Sequence, residues 1–175
     1  MSTTTRTIPY RRRREDKTNY HKRIALLKSN KLRLVVRRTL KNMVLQLVEY
    51  HPTGDKIVVA AHTRELEKFD WKYGRGNLPS AYLLGLVFGK KALAKKYKEA
   101  IVDFGLQGPV KGTRLFAAVK GVVDAGVHIP HDAKMFPSED RVKGQHIAHN
   151  TFVKNPASKD IPTRFEQCKE KILKG

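Results

Sequence analysis

Cysteine occurs once in the 175 residues, at Cys168, which excludes an intramolecular disulfide and a cysteine-based zinc site and fits a reducing cytosol. Acids are scarce: 16 Asp and Glu stand against 36 Lys and Arg, for a formal charge of +20. A compact state with that excess repels itself unless an opposite field answers it, so the expected partner is a polyanion. Long apolar runs are missing too. The longest, Ala81–Phe88, is far short of the roughly 20 residues a spanning helix requires. Met1–Tyr10 has no apolar core segment, so no secretory signal is expected. These absences place nucleic acid ahead of an anionic membrane surface. What remains is a chain with 40% hydrophobic residues, enough for one folded core.

The charge is uneven. Residues 1–41 hold 14 Lys and Arg against 2 acids, while residues 42–134 hold 14 against 9 and residues 135–175 hold 8 against 5. The run Arg11, Arg12, Arg13, Arg14 reads either as a solvated or import-type arm or as a phosphate-binding one that releases counterions on docking. The second reading gains weight because basic residues continue into foldable sequence. Thr18–Lys28 predicts a short helix with Ile24 and Leu27 inward and Lys17, His21, Lys22 and Lys28 outward. Lys17, Tyr20, Lys22 and Arg23 would extend a cationic surface onto it, with Tyr20 free to stack on an unpaired base or to pack on Leu26.

From Asn30 the sequence alternates. Leu32, Leu34 and Val36 fall on one face of a strand, and Lys31, Arg33, Val35 and Arg37 on the other, which predicts a core face and a cationic stripe. Arg38 breaks the alternation, marking a strand end or a partner for an acid, and Lys41 follows in the turn. Strands are also predicted at Met43–Tyr50 and Lys56–His62, joined through His51–Asp55. The loop Phe69–Asn77 mixes Trp71, Lys72 and Arg75 with glycine. It suits either base stacking and phosphate contact or a helix entry with Trp71 capping the core.

Asn77 then reads as a helix N-cap with Pro79 in the first turn, and Lys90, Lys91, Lys95 and Lys96 fall late, as the macrodipole favours. Glu99–Phe104 reads as a buried strand. Gly112-Thr113 opens a second helix with Leu115, Ala118, Val119 and Val122 on its apolar face and Gly126 at its end. The fold class is α/β: a three-stranded antiparallel meander followed by helix, strand, helix, with the helices covering the sheet. Residues 1–17 form a basic arm and 18–131 the globular domain. Residues 132–175 form an extension, irregular or partly helical to about 160, with a last helix over about Thr163–Leu173.

Chemistry-bearing residues are few. His128 and His131 are separated by Pro130. His146 and His149 would share a helical face, but a zinc site there has little support. Asp103 sits at the end of a strand, a place where a metal-dependent nuclease could hold a metal-binding carboxylate, yet only Asp124 and Asp132 follow before the extension, and two-metal cleavage needs several convergent acids. A turn or cap role suits Asp103 better. No Walker sequence, Ser-His-Asp set or dinucleotide fingerprint is present. No cofactor or metal is expected and no small-molecule substrate. A metal-dependent nuclease and a general nucleic-acid coat remain as rivals.

Three blocks carry a resemblance: KTNYHKRIALLKSNKLRLVVRRT, WKYGRGNLPSAYLLG and VDFGLQGPVKGTRLFAAVKGVVDAGVHIPH. In this order and spacing the chain resembles, over about residues 11–131, the archaeal type of large-subunit ribosomal protein eighteen. That resemblance implies a ribonuclease-H-like topology without catalysis and a place in the ribosome. The partners it implies are 5S rRNA, the large-subunit rRNA of the central protuberance and other large-subunit proteins. It also accounts for His128 and His131 without a metal. The RNA-facing residues expected are Arg11 to Arg14, Lys17, Tyr20, Lys22, Arg23, Lys31, Arg33, Arg37, Arg38, Lys41, Trp71, Lys72 and Arg75.

Overall fold

The computed structural model describes residues 7–150 and 159–174. Residues 1–6 of the expected arm and 151–158 of the expected extension lie outside the described residues. The chain begins with one helical turn, α1 (Arg11–Arg14), and a short helix, α2 (Tyr20–Leu27), capped by Asn19, whose side chain accepts from the Lys22 N–H. Three strands follow: β1 (Arg33–Arg38), β2 (Met43–Glu49) and β3 (Lys56–His62). They pair as sequential antiparallel neighbours, Arg33 opposite Val48 and Val44 opposite His62, with a register shift at Leu47/Val48. A fourth strand, β4 (Ile101–Asp103), lies parallel to β1 on its other side, so the sheet is mixed and ordered β3-β2-β1-β4. Glu99 adds a parallel bridge to His128. β4 is half-buried rather than the buried strand its apolar run suggested, because it is a three-residue strand with a neighbouring strand on one side only.

The inward face of the sheet is the alternation made visible. Leu34, Val36, Leu45, Leu47 and Val59 are all but inaccessible, and they meet Ala81, Leu84 and Phe88 of α3 (Leu78–Ala94) and Leu115, Ala118 and Val122 of α4 (Arg114–Asp124). Asn77 caps α3 as expected, its side chain accepting from the Ser80 N–H at 3.0 Å, with Pro79 in the first turn. Thr113 stands at the N-cap of α4 without a side-chain cap bond, and Gly126 follows its end at φ +103°.

Helix α3 is buried continuously from Leu78 to Gly89. An ordinary amphipathic helix has one apolar stripe; this one is apolar all round and must be covered twice. Its second face, Tyr82, Leu83, Leu86 and Val87, packs in a separate core with Leu66, Trp71, Val142 of α5 (Glu139–Lys143) and Ile161, Phe165, Cys168 and Ile172. The last four belong to α7 (Ile161–Lys174), which follows a turn of helix α6 (Gln145–Ala148). The terminal helix exists as the sequence predicted, but it is packed onto α3. Each of its buried apolar side chains is worth about 1.5–3 kcal/mol there.

Helices α3 and α4 approach too closely for ordinary side chains at their crossing. A Cβ placed on Gly85 would fall 2.2 Å from the Ala118 carbonyl oxygen, and one on Gly121 would fall 2.2 Å from that of Tyr82. Backbone atoms have nowhere to go, so the glycines fix the interhelical distance. Gly121→Ala is expected to lower stability by about 1–3 kcal/mol, a fall of roughly 2–12 °C in Tm. Gly108→Ala, where a Cβ meets nothing within 4 Å, should leave Tm within a degree or two of the parent by differential scanning calorimetry.

Candidate nucleic-acid interface

The outer face of β1 differs from the expected open stripe. Arg33 is only 2% exposed. Its Nη2 donates to Asp55 Oδ2 at 2.7 Å and its Nη1 to Asp103 Oδ2 at 3.2 Å. Burying a guanidinium is tolerable only with such partners, because desolvation costs several kcal/mol per ion. The expectation that Arg33 is displayed to solvent is therefore corrected: it is an internal cation, and among the described residues its buried Nε has no hydrogen-bond partner. Lys31 pairs with Glu99 while staying partly exposed. Arg37 is 40% exposed along its side chain and is tied down by Nη1, which donates to the Asp103 carbonyl at 2.7 Å and the Val36 carbonyl at 2.9 Å. Asp103 in turn accepts from the Gly105 N–H at 2.7 Å. Gly105 has φ +62°, and a Cβ there would sit 2.9 Å from the Arg37 guanidinium. The turn role expected of Asp103 is thus one of several it performs. Arg38 ends β1 and is exposed, its backbone bonded in both directions by the Gln107 side chain.

Above this face lie the arm and α2, which carries Arg23. Arg23 donates from both terminal nitrogens to Asp55, each at 2.9 Å. Burial alone would push the Asp55 carboxyl up, but hydrogen bonds from Arg23 and Arg33 outweigh it and hold the group below its ordinary value. The bond to Asp55 likewise raises Arg23. In the arm Arg12 Nε donates to Thr18 Oγ1 at 2.8 Å, and Arg11 and Lys17 flank Glu15 at 3.0 and 2.8 Å. Arg13, Arg14 and Lys22 are exposed, and none of them has an ion-pair partner among the described residues. One expectation for α2 changes. Ile24 is 53% exposed rather than inward, because α2 buries none of its residues and does not reach the core. Tyr20, half-buried, packs on Tyr10 with ring centroids 5.3 Å apart.

Between arm and sheet runs a groove of about 590 Å³. Arg12, Lys17, Lys22 and Arg37 line it with cations, and Val35 and Ile57 give it an apolar floor. A recess of about 760 Å³ is framed by Lys41, Lys72, Tyr73 and Arg75, with Glu67 also in its lining and paired to Arg75. Trp71 reaches it but is 1% exposed and sits in the second core, with Tyr73 edge-on at 5.2 Å. The core-capping alternative holds for Trp71, so the ring is not presented for stacking.

A family model described as ribosomal large subunit proteins 60S L5, and 50S L18, matches residues 6–101 and 94–132. The chain belongs to that family. The match takes in the arm, the whole sheet, α3 and α4, and so contains both cationic recesses. Membership places the protein in the large ribosomal subunit, among ribosomal RNA and ribosomal proteins, as a structural constituent. No helix among the described residues is long and apolar enough to cross a membrane.

The histidines have local tasks. His131 Nδ1 lies 2.7 Å from the Ile129 carbonyl and its ring stacks near Phe136, while His149 Nδ1 lies 2.9 Å from the Gln145 carbonyl. Among the described residues no three His, Cys, Asp or Glu side chains converge. The residue that sequence reading missed is Asp55. It sits in what reads as a plain His51–Asp55 turn, and only the rarity of acids in so basic a chain marks it.

Because Asp55 titrates lower in the folded protein than in the unfolded chain, the stability it supplies is present above its ordinary value of 3.8 and is lost as pH falls through the depressed folded value. Urea-denaturation midpoints measured from pH 6 to pH 2 should fall in that acid window, and Asp55→Asn should remove part of the slope. Asp103→Ala strips one partner from buried Arg33 and is expected to cost about 3–5 kcal/mol at pH 7.

Proposed function

We propose that this protein binds 5S rRNA and helps seat it against the large rRNA of the central protuberance. The observation that carries this reading is the groove between the basic arm and the sheet. Cations from two parts of the chain line one concave face there, six Lys and Arg side chains against Asp55 and Asp103. Arg11 to Arg14 would supply sequence-independent phosphate contacts, with Lys17, Lys22 and Arg37 placing the RNA along the groove. Arg38, Lys41, Lys72 and Arg75 would offer a second contact region at the β1–β2 turn, with Lys31 flanking the sheet. Tyr20 lines the groove with an aromatic edge. Arg33 and Trp71 serve in this reading by holding the surface rather than touching RNA. The order β3-β2-β1-β4, with β4 parallel to β1, supports a ribonuclease-H-like topology. The engagement of Asp103 by Arg33, Arg37 and Gly105 favours binding over nuclease chemistry.

Titration of labelled 5S rRNA across salt concentrations tests the proposal. Log affinity should fall steeply with log salt and exceed that for a mixed-sequence duplex of equal length. Replacing Arg11 to Arg14 together by glutamine should weaken both RNAs alike and reduce the salt slope by roughly 3 to 4. Equal affinity for 5S rRNA and the random duplex, or magnesium-dependent cleavage abolished by Asp103→Asn, would defeat the reading.

A further inference from the structure

Helix α2 faces the sheet across the groove without a core of its own. None of its residues is buried, and Ile24 turns outward. Among the described residues, Arg23 is the one side chain of residues 7–28 that hydrogen-bonds to the chain beyond Asn30, and it does so only at Asp55. Asp55 is held from the other side by buried Arg33, itself fixed by Asp103. The carboxylate is therefore a rigid anchor, and the bidentate Arg23 fork is a directional grip on it.

We infer that Asp55 is a positioning residue for RNA: an acid that, by latching Arg23, holds the basic arm over the sheet and pre-forms the cationic groove. This rests on the RNA-binding reading above. It also runs against simple charge counting. Removing an acid from a protein that binds a polyanion ordinarily strengthens binding, because the net positive charge rises. Here the same change releases Arg12, Lys17 and Lys22 from their shared orientation, and the RNA must then order them itself.

The test uses two single variants of the full chain and their combination. Asp55→Asn raises the net charge by one, whereas Arg23→Gln lowers it by one and leaves Arg33 with both its carboxylates. The latch predicts that both weaken 5S rRNA binding, by about tenfold or about 1.4 kcal/mol. It also predicts that the double variant is no worse than either single one. Amide hydrogen exchange on the free protein reads the latch without RNA: protection of residues 20–27 should fall in both single variants while β1 and β2 stay protected. Should Asp55→Asn also loosen β1, through the loss of a partner for Arg33, the Arg23→Gln result decides. Unchanged exchange over 20–27 in Arg23→Gln would overturn the latch whatever the RNA data say, and tighter binding by a folded Asp55→Asn would overturn its role in recognition. A parent protein that shows no preference for 5S rRNA, with exchange still responding, would instead remove the functional reading and leave the latch standing.

Discussion

The pairing of buried Arg33 with Asp55 and Asp103 is the constraint on which the outer face of this molecule depends. It joins β1, the turn leading into β3 and the end of β4 at one point, and through Arg23 it reaches the arm. A buried ion pair is weak grounds for stability, since well-packed apolar groups of the same volume often do as well. Its worth here is geometric. A guanidinium has donors in a fixed plane, so two carboxylates engaged by Arg33 have their own positions defined. Asp103 then orients Arg37, and Asp55 orients Arg23. The exposed cations of the groove are placed by internal ones.

The opposite face of the sheet works by a different rule. There, α3 lies between two apolar cores, and the Gly85–Gly121 approach sets how near α4 can come. The family match ends at residue 132, yet the second face of α3 is completed by Val142 and by Phe165, Cys168 and Ile172 from beyond that point. Without that cover Leu83, Leu86 and Val87 would meet water across one side of a seventeen-residue helix. The C-terminal part of the chain therefore closes the fold, whatever else it does.

Much of this was legible in the sequence, and the failures share a cause. Alternation located β1, β2 and β3, and local capping chemistry located the start of α3 at Asn77 and the end of α4 at Gly126, because these signals act over a few residues. Alternation also assigned Arg33 to the outer face correctly. It could not say that the face was closed there, since the closing acids lie 22 and 70 residues further on. Ile24 misled because helical spacing identifies an apolar face but not whether a core lies within reach of it. Trp71 was ambiguous for the complementary reason: a loop of aromatics, cations and glycine is composed alike whether its ring points to a base or to Leu66 and Val87.

Charge balance ties the two halves together. Sixteen acids cannot neutralise 36 cations, and several of those acids are committed to named partners: Asp55 and Asp103 to arginines of the sheet and arm, Glu65 to Lys91, Asp70 to Lys171. Such placement does two things at once. It stabilises local geometry where repulsion would otherwise separate elements, and it leaves Arg13, Arg14, Lys22, Arg38 and Lys41 among the cations with no ion-pair partner in the described residues. A different scatter of the same acids would give the same net charge but would leave Arg23, Arg33 and Arg37 without their fixed partners. Where the few acids are spent therefore decides which cations are held in a fixed direction, and the fold settles that through the register of β1 against β4 and the position of one turn.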